Sequence, residues 1–321
     1  MSLPIHQART VNRGDRLFRG VLVVFGLLVL AVAAVILDEL GQVARPSVAR
    51  YGLGFLTGTQ WDPIQQRFGA LPFVFGTVVS SAIAVLLAVP LGLGVAFFLS
   101  ELAPRWLRDP VSFLVELLAA IPSVVYGLWG IFVLVPLIRA LEMKIVASGL
   151  GFLPIFSGAP YGIGMLSAGV ILAIMIVPTV AAVSREVFRA VPGSQREAAL
   201  ALGATRWEAM KVVFDYGRAG IVGAVVLGWG RALGETMAVN MVIGNQPVIS
   251  LSLFSPAHTM ASVIASEFNE AVVPMHVSAL AEIGLVLFGV TFLLSAVARI
   301  LVIRVERKAR GRSAATGVIG A

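Results

Sequence analysis

Apolar residues are concentrated in six long stretches along this chain of 321 residues. Each stretch reaches the roughly 17–25 residues that a helix needs to cross the hydrocarbon core of a bilayer. Because a backbone in hydrocarbon must satisfy its own hydrogen bonds, long apolar stretches of this kind span membranes as helices. The pattern therefore predicts an all-α polytopic membrane protein with six transmembrane helices. The predicted helices are approximately Leu17–Leu37, Phe73–Ser100, Val111–Ile138, Gly162–Ser184, Ala219–Asn245 and His276–Ala298.

Prolines lie inside three of these predicted helices, at Pro90, Pro122 and Pro178. A proline removes a backbone donor and kinks a helix, and neighbouring helices in a membrane can satisfy the carbonyl that it releases. We therefore predict kinks at these three positions. Such kinks serve either ordinary packing or the opening of a central path.

The first apolar stretch has a basic N-terminal flank, as a secretory signal peptide does. Its apolar core is longer than the roughly 7–15 residues of such a signal. It also runs into Asp38 and Glu39 without a clear small-residue cleavage site. We therefore predict a retained transmembrane helix, with cleavage as the alternative.

The composition agrees with a protein that lies in a lipid bilayer. Hydrophobic residues make up 58% of the chain, charged residues only 13%, and the mean hydropathy is +0.94. Soluble domains carry about 25% charged residues. There are no cysteines, so disulfides, thiolate nucleophiles and cysteine-bound metals are excluded.

The net charge of +7 is distributed unevenly between the predicted loops. With the N-terminus in the cytoplasm, the cytoplasmic segments hold eighteen Lys or Arg residues, the outer segments hold five, and Arg231 lies inside a helix. Lys and Arg accumulate on the cytoplasmic side of membrane proteins. The distribution predicts a protein of the cytoplasmic (inner) membrane, with both termini and the loop at 185–218 in the cytoplasm. The excess of basic residues is therefore explained by the orientation of the protein in the membrane, and it does not indicate a nucleic-acid partner.

Sequence motifs for catalysis or cofactor binding are missing. The chain has no G-x-x-x-x-G-K-[ST] motif, so it cannot cradle the phosphates of ATP in a P-loop. Its three histidines include no H-E-x-x-H pattern, and no glycine-rich string has dinucleotide-binding spacing. We therefore expect a protein that is not an enzyme, with no catalytic residue, metal or cofactor. Its energy then comes from a partner ATPase or from an ion gradient.

Two S/T-x-x-E patterns follow each other in the loop at 185–218. They pair Ser194 with Glu197 and Thr205 with Glu208. In this pattern the hydroxyl of the first residue and the carboxylate of the last satisfy the unpaired amides at a helix N-terminus. The loop is therefore predicted to contain two capped helices.

Gly203 lies between the two patterns, where a C′ residue with positive φ is needed. The local chemistry predicts a helix at Gln195–Leu202, a tight turn, and a second helix at Arg206–Phe214. Ala198 and Ala199 are small, so another surface can approach the first helix closely. A DNA-reading helix-turn-helix and an amphipathic loop on the lipid surface are the alternatives. Tethering to two spans disfavours the DNA-reading alternative.

The string EAALALG followed by ATRWEAM resembles the EAA loop of the permease subunits of ATP-binding-cassette importers. In that family the loop contributes a coupling helix, which sits in a groove of the cytoplasmic ATPase. The resemblance covers about residues 70–305 and includes Gly76-Thr77, Pro90-Leu91-Gly92 and Glu101. It implies the type I importer permease fold, with a five-helix core plus an N-terminal helix. The residues that it implies for ATPase coupling are Glu197, Ala198, Ala199 and Gly203.

Three stretches narrow the likeness to the PstC-type permeases of phosphate importers. The sister permease of such systems has Glu-Thr-Ala-Pro where this chain has Glu235-Thr236-Met237-Ala238, which favours the PstC type over the PstA type. The three stretches are ELLAAIPSVVYGLWG (Glu116–Gly130), GRALGETMAV (Gly230–Val239) and ASVIASEFNEA (Ala261–Ala271).

The resemblance also implies partners and a division of the chain. The partners are a second permease of the PstA type in a heterodimer, two copies of a PstB-type ATPase, an extracytoplasmic phosphate-binding protein of the PstS type, and phosphate. Residues 1–72 form a tail, the first transmembrane helix and an outer segment. Residues 73–305 form the permease core, with the EAA-type loop at 185–218, and residues 306–321 form a cytoplasmic tail.

One arginine and one glutamate, Arg231 and Glu235, lie four residues apart in the otherwise uncharged stretch Ala219–Asn245. A charge at the bilayer centre costs about 2.5–3.5 kcal/mol on insertion scales, and such residues mark substrate or ion paths. On a continuous helix the two side chains can touch. An arginine donates two parallel charge-assisted bonds to an oxyanion and keeps its charge. We therefore predict that both residues line a substrate path, with structural pairing across the permease interface as the alternative.

Two other functions remain open from the sequence. An ion-coupled secondary anion carrier would use Arg231 as the substrate site and Glu235 as the proton site. A structural membrane adaptor would use the EAA-like loop to anchor a cytoplasmic protein.

Overall fold

The computed structural model describes residues 13–317. The predicted tail before Arg13 and the last four residues of the predicted tail at 306–321 lie outside the described residues. The described part contains twelve α-helices and one antiparallel hairpin of two short strands, β1 (Trp61–Asp62) and β2 (Arg67–Phe68). The helices are α1 (Arg13–Tyr51), α2 (Gly54–Thr57), α3 (Leu71–Phe97), α4 (Arg105–Ala119), α5 (Ser123–Trp129), α6 (Val135–Ala147), α7 (Met165–Arg189), α8 (Gly193–Ala201), α9 (Arg206–Leu233), α10 (Met237–Asn240), α11 (Met260–Glu267) and α12 (Pro274–Gly317).

Six helical segments within residues 13–317 are long and apolar enough to cross a membrane. This finding confirms the predicted all-α polytopic fold with six transmembrane helices. Pro90 and Pro178 lie inside α3 and α7. The six spans are Leu17–Tyr51, Leu71–Leu102, Ser123–Ala147, Met165–Arg189, Arg206–Leu233 and Pro274–Ile300.

The third span differs from the prediction because Pro122 ends one helix instead of kinking it. α4 ends at Ala119, and Pro122 is extended before α5, with φ −59° and ψ 141°. The residue before a proline is disfavoured in the helical region, so a helix usually ends there. The predicted helix Val111–Ile138 is therefore wrong. α4 is a separate helix, and the span runs over Ser123–Ala147.

α7 lies at the centre of the bundle, packed between α3 and α9. Fifteen of its 25 residues are buried. Ala168 and Leu172 belong to one core cluster with Ala84 and Ala88 of α3. Lipid covers an apolar face as well as protein does, so apolar character alone does not bring a helix to the centre of a membrane protein. The buried face of α7 includes the small residues Ala168, Gly169 and Ala173, which let neighbouring helices approach closely.

The second half of α1 packs against α12. Ser47 is fully buried, and its amide donates to Ser278 Oγ at 3.0 Å. α1 has 39 residues, which corresponds to about 58 Å and exceeds the thickness of a bilayer. The predicted end of the first helix at Leu37 is therefore too early, because α1 continues to Tyr51.

An irregular segment at 241–259 closes the end of the bundle opposite α8, and it bonds to the start of α7. The first amides of a helix have no partner within the helix itself. Here the carbonyls of the irregular segment accept from them, so backbone hydrogen bonds hold the segment against α7. The bonds are Gly164 N to Val242 O (3.0 Å), Met165 N to Ser255 O (3.1 Å) and Leu166 N to Leu253 O (2.9 Å).

Gly76 allows α3 to touch this segment at His258. A Cβ atom at Gly76 would lie 2.1 Å from the carbonyl oxygen of His258. Next to it, Thr77 Oγ1 accepts from the amide of Met260 at 2.9 Å. His258 is 2% exposed, and its Nδ1 lies 2.7 Å from Ser262 Oγ. The close approach at Gly76 therefore seals a buried polar cluster between α3 and α11.

We expect Gly76→Ala to destabilise the protein by about 1–3 kcal/mol, the usual cost of overpacking. The added methyl group would meet backbone, which cannot rotate away as a side chain can. Thermal unfolding in detergent measures the effect. Gly94→Ala is the matched control in the same helix, because nothing lies within 4 Å of a Cβ atom there. Equal unfolding temperatures for the two variants would contradict this packing.

A second prediction concerns pH. Burial lowers the pKa of His258 to about 4, whereas an unfolded histidine has a pKa of about 6.5. The unfolded chain therefore takes up the proton at a higher pH than the folded chain does. Stability from neutral His258 is complete above about pH 6.5 and is lost as the pH falls towards 4, by about 3 kcal/mol in all.

His258→Gln should remove this component, so the unfolding temperature of the variant should fall less steeply between pH 7 and pH 4.5 than that of the parent protein. Parallel curves for the two proteins would show that protonation of His258 does not limit stability.

Candidate functional site

The charged residues predicted in the fifth span lie where that span is interrupted. α9 ends at Leu233 with Gly234 as its C-cap, and α10 begins only after a short gap. The predicted continuous helix Ala219–Asn245 is therefore wrong. The gap consists of Gly234, Glu235 and Thr236, too few residues to interrupt an apolar stretch of this length. Arg231 lies in the last turn of α9, and Glu235 lies beyond its end.

Arg231 and Glu235 contact different parts of the protein. Both belong to the part of the chain that the structure describes, and no ion pair joins them. Arg231 is exposed, its Nη1 lies 3.5 Å from Thr179 Oγ1 of α7, and it interacts electrostatically with Tyr126 of α5. Glu235 Oε1 accepts from the amide of Ala238 at 3.4 Å. The predicted i, i+4 contact fails because the helix ends between the two residues.

The end of α9 also sets the electrostatics around Arg231. The last carbonyls of a helix lack partners within it and carry partial negative charge. The guanidinium in the last turn offsets that charge. An arginine here therefore has a stabilising role in addition to any role in binding.

The residues after the break are packed against α5 and α7. Non-helical backbone at membrane depth occurs only where protein buries it or where it lines a water-filled cavity. One side of the break is closed by protein, while Arg231 remains exposed on the other side. The arrangement can bind an oxyanion through parallel N–H bonds from the guanidinium. The buried residues are Ala238 (0% exposed), Val239 (1%), Val242 (0%) and Ile243 (0%).

The turn after α8 folds as the sequence predicts. Gly203 has φ +85°, which confirms the predicted left-handed conformation. Its amide donates to Leu200 O at 3.0 Å, and the amide of Ala204 donates to Ala199 O at 3.1 Å. These two bonds form a Schellman motif, which satisfies the last carbonyls of a helix.

The two predicted capping boxes have different outcomes. Thr205 caps α9, because its amide donates to Glu208 Oε2 at 2.7 Å and the amide of Glu208 donates to Thr205 Oγ1 at 3.3 Å. The box predicted between Ser194 and Glu197 is wrong. α8 begins one residue before Ser194, so Pro192 occupies the N-cap position and no side chain caps the helix.

The second short helix, predicted at Arg206–Phe214, is the first part of α9. α9 continues without a break to Leu233, over 28 residues. No proline follows Phe214 within α9 to stop the helix. The second part of the 185–218 loop and Arg231 therefore belong to one continuous helix.

The residues predicted for ATPase coupling lie on an uncovered surface. None of the nine residues of α8 is buried. Glu197 and Ala198 are exposed, and Ala199 is half-buried. Leu200 and Leu202 are 47% and 90% exposed. A helix this short is marginal on its own, so its small and apolar surface suits a groove in a partner protein.

Two ion pairs that sequence reasoning missed lie near α8. Arg185 Nη2 lies 2.8 Å from Glu116 Oε1, which joins α7 to α4. Arg196 Nη2 lies 2.5 Å from Glu101 Oε1, which joins α8 to the end of the second span. The partners are 69 and 95 positions apart. No local pattern connects residues so distant, and Glu101 was visible only as part of the family pattern.

The comparison with family models identifies a match to most of the chain. The family described as "Binding-protein-dependent transport system inner membrane component" matches residues 88–310. Its match includes α8, the Gly203 turn and the break after α9.

Curated relatives extend the likeness beyond this range. The chain is 46% identical over 299 residues to the "Phosphate transport system permease protein PstC" of Pasteurella multocida (strain Pm70), which covers 92% of this chain and 93% of the relative. It is 45% identical over 298 residues to the protein of the same name from Haemophilus influenzae, with 91% and 94% covered. It is 39% identical over 251 residues to the "Probable phosphate transport system permease protein PstC" of Methanocaldococcus jannaschii, with 76% and 80% covered.

Among solved structures, a chain of the MetNI methionine ABC transporter in an inward-facing conformation is similar to this one. The TM-score is 0.56 at 18% sequence identity, and the match covers 77% of this chain and 99% of that chain. The likeness confirms the predicted fold of a type I importer permease. Together with the match over residues 88–310, it shows that this chain belongs to the inner-membrane components of binding-protein-dependent transport systems.

Proposed function

We propose that this chain is the permease subunit of an ATP-driven importer of inorganic phosphate. The observation that carries the proposal is the exposed Arg231 at the break in a transmembrane span. Relatives 45–46% identical to this chain are named as phosphate transport permeases. A guanidinium suits a tetrahedral oxyanion because it donates two parallel bonds and keeps its charge. The chain has no P-loop, so a partner subunit hydrolyses the ATP.

The partners follow from the same proposal. A second permease of the PstA type faces the exposed Arg231 and completes the path as a heterodimer. Two copies of a PstB-type ATPase bind the coupling helices, and here α8 offers Glu197, Ala198 and Ala199 to the ATPase groove. A PstS-type binding protein delivers phosphate from outside the cytoplasm. The family description, which states dependence on a binding protein, supports this last partner.

The proposed orientation places α8 and both termini in the cytoplasm. The excess of Lys and Arg in the segments on that side supports it. The proposed division of the chain keeps residues 1–72 as an N-terminal tail, helix and outer segment, residues 73–305 as the permease core, and residues 306–321 as the cytoplasmic tail.

In this proposal Arg231 binds phosphate weakly and only transiently during transport. The carbonyl end of α9 next to the guanidinium repels an anion, so the arginine is only partly available as a counter-charge. Glu235 lines the other side of the break and accepts from the amide of Ala238, which fixes the start of α10. A negative charge there further limits how long an anion stays. Weak binding is what a transport path needs, since the anion must also leave.

The ion-coupled secondary carrier is not retained. The family model and the curated relatives are those of a transporter that depends on a binding protein. Glu235 is therefore not assigned a role as a proton site.

The test is made with the assembled complex in proteoliposomes, with the binding protein present. Phosphate should stimulate ATP hydrolysis and enter the vesicles, whereas sulfate should do neither. Arg231→Gln should reduce phosphate uptake by at least about 10- to 100-fold, the value of one charge-assisted hydrogen bond. Arg231→Lys should recover little of it, because an ammonium lacks the planar fork.

Thr179→Val is the matched control for Arg231. It removes the 3.5 Å contact of the guanidinium but leaves the charge in place, so most of the uptake should remain. Normal uptake by Arg231→Gln, at normal yield of the complex, would place the phosphate path elsewhere.

A further prediction concerns the turn after α8. Gly203→Val should cost about 1–2 kcal/mol, because an L side chain at positive φ is strained. The permease should still insert, but the amount of ATPase that co-purifies with it should fall by about 5- to 30-fold. Gly193→Ala is the control, since nothing lies within 4 Å of a Cβ atom there and its φ is not positive. Full ATPase recovery with Gly203→Val would refute the role of this turn in docking.

A further inference from the structure

The second span does not end as an ordinary α-helix. Its last residues, Phe98–Leu102, form a π-helical turn, which the amide of Ala103 closes by donating to Phe98 O at 2.8 Å. Single π-turns are rare and are frequent at functional sites. Arg108 of α4 stabilises this turn, because its Nη2 donates to Ser100 O at 3.2 Å and to Ala103 O at 3.3 Å. These hydrogen bonds make the π-turn an ordered part of the structure and not a frayed helix end.

Glu101 lies within this π-turn and is directed at α8. Its side chain is only 8% exposed, and Arg196 of α8 reaches it with an N–O distance of 2.5 Å. The side chain of Arg196 is 34% exposed. A carboxylate buried to this extent needs a partner, because an uncompensated buried charge is strongly unfavourable. The two charges therefore hold α8 against the end of the second span.

α8 contacts α9 but is only loosely packed. None of its nine residues is buried. Its chain neighbours lead into α7 on one side and through the Gly203 turn into α9 on the other. The Glu101–Arg196 ion pair also joins α8 to the second span, which begins with α3. Because this pair resists separation, a displacement of α8 also displaces α3.

A displacement of α3 reaches the neighbourhood of Arg231 through packing. At Gly92 of α3, a Cβ atom would lie only 3.0 Å from Val180 Cβ, so the two helices are in close contact there. Val180 is fully buried, and it follows Thr179, the residue that Arg231 contacts. Since packed interiors transmit strain, α3 has a direct route to this site.

We propose that the Glu101–Arg196 ion pair is a positioning contact that transmits movement of the coupling helix α8 to α3. This inference rests on the proposed function of α8 as the part that docks on the ATPase. It assigns Arg196 to the permease side of the coupling helix, separate from the residues that face the ATPase groove. It also assigns the π-turn a purpose, since the turn directs Glu101 towards α8.

The test compares Glu101→Gln, Arg196→Gln and the double variant in the assembled complex. The readout is the amount of phosphate moved per ATP hydrolysed. Each single change should lower this ratio about fivefold or more, the lower end of ordinary coupling energies. The double variant should be no worse than either single variant, because residues that act through one contact are not additive. Arg196→Lys should retain most of the ratio.

Arg189→Gln is the matched control. It removes an arginine of the same region whose 3.5 Å pair with Glu186 is exposed at the surface, so the ratio should stay at the parental value. Additive losses in the double variant, or an unchanged ratio in both single variants, would overturn the proposal. Additive losses would show that Arg196 acts directly on the ATPase.

A second measurement does not depend on phosphate. The chain has no cysteines, so a single cysteine at Ala201 can carry a spin label on α8. The label should become more mobile in Glu101→Gln and in Arg196→Gln than in the parent, and not in Arg189→Gln. If the parental complex shows no phosphate-stimulated hydrolysis, the proposed function fails, while label mobility still decides this inference. Equal mobility in all variants would contradict it.

Discussion

Every interruption of a helix in this protein must satisfy its backbone hydrogen bonds without water, because hydrocarbon offers neither donor nor acceptor. At the start of α7, the irregular segment at 241–259 supplies the missing carbonyls. At the end of α9, the amides of Gly234 and Glu235 bond back to the helix, and the following residues are buried. At both places the chain itself supplies hydrogen-bond partners for the interrupted backbone. The break beside Arg231 fits this rule, and it is the place where such a protein can present polar groups to a solute.

Some of this structure could be predicted from the sequence, and the rest could not, for identifiable physical reasons. The number of spans follows from hydropathy, because only apolar stretches of sufficient length are stable in lipid. The turn at Gly203 and the cap at Thr205 follow from chemistry within a few residues. The end of α9 was missed because only Gly234, Glu235 and Thr236 separate it from α10, and apolar residues on both sides keep the whole stretch apolar. The contact of Glu101 with Arg196 was missed because it joins residues 95 positions apart.

The charged residues that matter divide into two groups with different physical roles. Near α8, the ion pairs of Arg185 and Arg196 join helices that are far apart in the sequence. There each arginine has a carboxylate within 3 Å, so its charge is used to hold the structure together. Among residues 13–317, no carboxylate pairs with Arg231, whose hydrogen-bonding contact is the neutral hydroxyl of Thr179 at 3.5 Å. An arginine that has no counter-ion within a transmembrane span can attract an anion from outside the protein.

The continuity of α9 has a mechanical consequence. From Arg206 to Arg231 the helix rises about 38 Å, and nothing within it acts as a hinge of the kind that a proline provides. One end of this rigid helix lies beside α8, the helix proposed to dock on the ATPase, and the other end carries the guanidinium of Arg231. A tilt of only about 5° at the end beside α8 would carry Arg231 through about 3 Å, given the 1.5 Å rise per residue. A hydrogen bond tolerates a few tenths of an ångström. A small rotation at the α8 end of α9 would thus be enough to make or break the anion contact proposed for Arg231.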